Sequence, residues 1–104
     1  MKTIAFAALI AVSTLSATAP AALAAGKIHR ACMHSDRPGA SRQLCSCIQE
    51  AANRVLSNRD QALAAKFFKD PQMAQDVRQS DSSYKEAFWK RYKDFGMTAQ
   101  AFCQ

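Results

Sequence analysis

Beyond residue 25 the chain contains no run in which β-branched and polar residues alternate, so nothing in it reads as a β-strand. The same stretch holds no internal repeat and no low-complexity tract, which excludes repeat architectures and linker-type disorder. No apolar run reaches the roughly 20 residues a helix needs to cross a bilayer. There is no C-x-x-C-H, so covalent haem attachment is unsupported, and no glycine-rich loop to cradle a phosphate. The 2 histidines lack an evident carboxylate partner, and the serines sit mostly where helices would be capped. Hydrolytic chemistry therefore has little to work with, and no catalytic residue, resident metal or cofactor is expected.

What is there begins with an export signal. Lys2 supplies a short positive region, Ile4 to Leu15 is apolar apart from Ser13 and Thr14, and Ala22-Leu23-Ala24 has the small-residue form of a cleavage site. Residues 1–24 read as a signal peptide, leaving residues 25–104 as one domain in the periplasm or outside the cell. A domain that small buries only about 60% of its unfolded surface, and the 4 cysteines fit the usual remedy of two disulfides. Removing Lys2 from the 14 lysines and arginines leaves 13 against 8 acids, about +5. That balance favours acidic partners such as anionic headgroups, anionic cell-wall polymers or acidic proteins. Export argues against a nucleic-acid partner.

The chain is organised around Ser41 to Leu56, SRQLCSCIQEAANRVL. On a wheel of about 100° per residue, Leu44, Ile48, Ala51, Ala52 and Val55 form one apolar stripe. Cys45 and Cys47 lie on opposite edges of that stripe, about 200° apart, so they cannot bond to each other within the helix. Their partners must be Cys32, before this helix, and Cys103, near the end of the chain. Cys32 and Cys45 are almost equidistant from the Pro38-Gly39 break, where facing positions of a helical hairpin lie, which favours Cys32 with Cys45 and Cys47 with Cys103. The swapped pairing is the rival.

Around this helix the other elements are short. Gly26 to Ser35 is a helical candidate ended by Asp36-Arg37-Pro38-Gly39. Ser57-Asn58-Arg59-Asp60 has the capping-box form and opens a third helix with Leu63, Ala64, Phe67 and Phe68 inward. Asp70-Pro71 stops it and starts a fourth, with Asp70 as cap and Met73, Ala74 and Val77 inside. Ser83-Tyr84-Lys85-Glu86 is a second capping box with Ser83 as cap. It opens a last helix striped by Tyr84, Phe88, Tyr92, Phe95, Ala99 and Phe102, which Gly96 is expected to kink.

Three constellations could carry chemistry. Cys45-Ser46-Cys47 has the form of a redox dithiol, but two further cysteines stand ready to occupy it structurally. His29, Cys32, Met33 and His34 would interest copper or zinc, yet His34 leaves the helix face shared by His29 and Cys32, and a disulfide would consume the thiolate. No metal is expected there. In the last helix, Trp89, Lys90, Arg91 and Lys93 interleave an aromatic with cations at the edge of the stripe, the form of a protein hot spot or a headgroup anchor. The bland reading is that Trp89 covers the edge of a small core and the cations are a solvated face.

Several segments resemble a family of small bacterial exported four-cysteine helical proteins whose members often carry the label "arginine transporter". They are Arg30-Ala31-Cys32, Ser35-Asp36-Arg37, Ser41-Arg42, Leu44-Cys45-Ser46-Cys47-Ile48-Gln49, Phe67-Phe68, Asp70-Pro71, Val77-Arg78-Gln79-Ser80-Asp81 and Glu86-Ala87-Phe88-Trp89-Lys90-Arg91-Tyr92. The resemblance covers nearly all of the chain after the signal peptide and brings no catalytic or binding residues. It implies at most an accessory part in arginine transport, since a chain of this size without a membrane span cannot carry a solute across a bilayer alone.

The expectation is an all-α bundle of four to five short helices stapled by two disulfides, preceded by a cleaved signal peptide. Its first functional reading is non-enzymatic binding, with Trp89, Lys90, Arg91 and Lys93 facing an unknown protein or an anionic envelope component. The second is an envelope-stress or chaperone-like helper that exposes apolar surface when acidified. The third is a thiol-redox or metal protein.

Overall fold

The computed structural model describes residues 26–103; the expected signal peptide, 1–24, lies outside the described residues. Five helices follow in order: α1 Lys27–Met33, α2 Arg42–Val55, α3 Asn58–Lys69, α4 Pro71–Arg78 and α5 Ser83–Phe102. Among the described residues there is no strand. The principal helix contacts run α1 to α2, α2 to α5, α5 to α4, α4 to α3 and α3 back to α1, a closed ring around one apolar core. Phe88 stands at its centre, fully buried, with Phe67 edge-on at 5.9 Å and Tyr92 stacked at 5.7 Å.

Local chemistry explains most boundaries. The Ser41 hydroxyl accepts from the Leu44 amide at 3.1 Å and the Ser57 hydroxyl from the Asp60 amide at 3.1 Å, so α2 and α3 each satisfy one of their orphan amides. Pro71 occupies the first turn of α4, where its missing N–H costs nothing. Gly39, at φ +84°, makes the reversal between α1 and α2 in a conformation other residues rarely adopt.

Other expected details are corrected. Asp70 precedes α4 but its side chain caps nothing. The last helix is preceded by Ser82 rather than Ser83, with no side-chain cap; this shift moves Glu86 one place beyond the position from which it could reach back to the cap amide. Gly96 does not interrupt α5, which runs through it as one helix.

The two disulfides are Cys32–Cys45 and Cys47–Cys103. Cys45 is fully buried and Cys47 half-buried, so the two neighbours do leave the helix in different directions. One bond ties α1 to α2 and the other ties the end of α5 to the same helix.

The buried line of α2 is rotated from the expected stripe. It runs through Cys45, Gln49, Ala52 and Leu56, with Ala51 beside it, while Leu44, Ile48 and Val55 are half-buried flanks. The Cys32 bond draws Cys45 inward, and Gln49 follows because its carboxamide is fully provided for. Its oxygen accepts from the His29 amide at 2.9 Å, and its nitrogen donates to Asn53 and to Gln61, each at 2.8 Å. Gln61 in turn donates to the Leu56 carbonyl at 3.2 Å. A buried amide network therefore joins α1, α2 and α3 beside the apolar core.

Candidate functional site

The four residues expected on the contact surface divide between two faces of α5. Arg91 lies on the line Tyr84, Phe88, Arg91, Phe95, spaced i, i+4, i+7, i+11, and so points toward the core. There its Nε donates to Asp60 Oδ2 at 2.7 Å and its Nη2 to Asp60 Oδ1 at 3.0 Å. Trp89 is half-buried, its ring 5.2 Å from that of Tyr92, and it packs against the core cluster. Lys90 and Lys93 remain exposed, and neither ammonium group forms an ion pair or hydrogen bond with another described residue.

Lys90, Lys93, Met97 and Gln100 follow the spacing i, i+3, i+7, i+10 and line a shallow hollow of about 590 Å³, together with Asp94 and Gly96. Met97 is 61% exposed. Gly96 contributes by absence, since a Cβ there would meet no atom within 4 Å. The hollow offers two ammonium groups and a thioether, with Asp94 the one acid among the described lining residues.

The inner side of the same helix carries a polar cluster that the residue pattern did not reveal. Asp60 also accepts from the Tyr84 hydroxyl at 2.9 Å, and the Arg59 guanidinium lies over the Tyr84 ring at 3.8 Å. The Arg91 hydrogen bonds hold the Asp60 carboxyl below the usual carboxylate range against the opposing effect of burial, with Tyr84 helping. Burial, and then the bond to Asp60, push the Tyr84 phenol up. A signal was available: Asp60, Ala64 and Phe67 share a helix face at i, i+4, i+7, and so do Arg91, Phe88 and Phe95.

The remaining candidates are placed as follows. All four cysteines are in disulfides, so Cys32 brings no thiolate to His29 and His34. His29 Nδ1 lies 3.3 Å from the Ser46 hydroxyl, within reach of a nucleophile and base pair. Ser46 sits inside α2, where neighbouring amides are committed to the helix, so the pair has no free backbone donors to stabilise an oxyanion. Phe102, expected on the inner stripe, is instead 67% exposed, with the Arg54 guanidinium 5.2 Å from its ring. Its carbonyl faces the Cys47 sulfur, where the chain turns into the Cys103 bond.

No protein-family model, curated protein or solved structure matches the chain. The fold and its cross-links define a small helical, disulfide-stapled domain, and among the described residues no helix is long and apolar enough to cross a membrane.

Proposed function

We propose that the protein is an exported, non-enzymatic binding module that holds an anionic component of the cell envelope against the outer face of α5. The observation that carries this reading is the pair Lys90 and Lys93, both exposed and unpaired, beside the exposed Met97. Two ammonium groups one turn apart attract anionic groups, and an adjacent thioether gives an apolar part of the partner something to lie on. The charge of the whole domain acts in the same direction. The buried Asp60 and its partner Arg91 cancel, so the excess of about five positive charges belongs to the rest of the domain.

Two disulfides and a ring of packed helices suit this role, because a face held rigidly loses little freedom on binding. The test is co-sedimentation at low salt with phosphatidylglycerol vesicles and with an anionic cell-wall polymer, phosphatidylcholine vesicles serving as the neutral control. Lys90→Glu with Lys93→Glu is expected to abolish salt-sensitive binding to an anionic surface while leaving the helical content intact. Trp89 is left in place because its ring packs on Tyr92 and its loss would disturb the core. Unchanged sedimentation of the double variant would refute the reading.

A further inference from the structure

On other elements, the C-terminal end of α1 with the loop that follows it faces the second half of α3 across a cleft of about 560 Å³. That volume falls within the range of about 300–1,000 Å³ typical of small-molecule sites. Its apolar wall is made by Ala31, Ala65 and Phe68, the two alanines leaving the space that larger side chains would fill. Phe68 is half-buried and packs against the core cluster, so this wall is backed by a rigid interior.

The rim is cationic. The side chains of Lys66 and Lys69 stand on α3 with no ion pair or hydrogen bond to another described residue, and the Arg37 guanidinium lies 5.4 Å from the Phe68 ring centroid. His34 completes that side, and Asp36 is the one acid among the described lining residues. Exposed ammonium groups beside an apolar wall are complementary to a ligand that carries an anionic head and an apolar body together.

We infer that this cleft binds a small amphipathic anion, a carboxylate or phosphate head on an acyl or aryl body, one molecule at a time. The head pairs with Lys66 and Lys69, and the body lies against Ala31, Ala65 and Phe68. Such chemistry reaches an envelope protein either as a free acyl acid or as an anionic lipid in a bilayer. A concave groove set between two elements, rather than a flat face, favours the free molecule over a membrane surface. The site shares no residue with the outer face of α5, so either proposal can fail without the other.

The experiment is a titration of the oxidised protein with sodium decanoate below its micellar concentration, followed by amide chemical shifts. Saturable shifts centred on Ala31, His34, Ser35, Ala65 and Phe68 are expected. Lys66→Gln with Lys69→Gln should weaken binding by about tenfold or more, the loss of charge-assisted contacts. Ala65→Phe should abolish it by filling the cleft, neutral decanol should bind more weakly than decanoate, and Lys90→Glu with Lys93→Glu should change nothing. Shifts absent or spread over the surface, or equal affinity in the Lys66 and Lys69 double variant, would overturn the inference. So would shifts of these amides with phosphatidylglycerol vesicles and none with decanoate, which would make the cleft a bilayer contact. Because the lysines are exposed, their variants keep the test decisive even where Ala65→Phe perturbs folding.

Discussion

Asp60 and Arg91, 31 residues apart, form a two-point ion pair in which the carboxylate is 2% exposed and the guanidinium side chain 39%. The pair crosses from α3 to α5, two helices that are not neighbours in the ring, and so braces its interior. Removing the cation leaves a buried carboxylate with only the neutral donors of Tyr84 and the Ser57 backbone. Arg91→Ala is expected to cost about 2–4 kcal/mol in denaturant unfolding, below the full penalty of a wholly buried pair because Arg91 is partly hydrated. Arg91→Lys should recover only part of that, since an ammonium cannot make both bonds. A loss under about 0.5 kcal/mol for Arg91→Ala would mean the pair is ornamental.

The same carboxylate sets the acid limit of the fold. Its folded pKa is held below the ordinary value, so its contribution is complete at neutral pH, where the unfolded chain is also ionised. It is lost only as pH falls below about 4 and through the lowered folded value. Binding of a hydrophobic dye should therefore stay flat from pH 7 to about 5 and rise only in stronger acid, with a shallower acid slope of stability in Asp60→Asn. A rise already near pH 6 would favour acid-triggered exposure of apolar surface, the behaviour of a stress helper.

The two disulfides differ in access. Cys32 and Cys45 are buried, whereas Cys47 and Cys103 are half-exposed at the end of α5. Graded reduction with alkylation and mass spectrometry should open Cys47–Cys103 first. That bond spans 56 residues against 13 for the other, so on the chain-entropy model its loss costs about 4 kcal/mol against about 3. Simultaneous opening of both would show that the first bond to break unfolds the domain.

Two glycines should respond oppositely to alanine. At Gly96 a Cβ meets open space inside a regular helix, so Gly96→Ala is expected to stabilise by about 0.5–1 kcal/mol. At Gly26 a Cβ would fall 2.5 Å from the Gln49 carboxamide, which is held by three hydrogen bonds. Gly26→Ala must push that group away and should destabilise by about 1–3 kcal/mol. Paired thermal melts of the two variants decide the matter.

Much of this architecture is legible in the residues because it depends on local periodicity. Two cysteines on opposite sides of one helix cannot bond to each other, and the Pro38-Gly39 turn makes Cys32 and Cys45 face. Ser41 and Ser57 behave as caps because their bonds reach only three residues along the chain. The polar interior was less legible. Gln49, Asp60 and Gln61 lie on buried helix faces, yet their polarity argues for the surface unless partners from other helices are known. Arg91 reads as one patch with Trp89, Lys90 and Lys93 when neighbours in sequence are taken together, whereas a helix turns each by about 100° and sends Arg91 to Asp60.

The sequence by itself determined the helices and the turns between them and narrowed the cross-links to two pairings, because spacing, capping and bond geometry act over a few residues; the assembled fold selected Cys32–Cys45 and Cys47–Cys103. Only the tertiary structure decided which polar groups go inside and which cations stay free. A buried carboxylate or carboxamide is tolerable solely when groups distant in the chain arrive to satisfy it, and that arrival is a property of the assembled ring of helices.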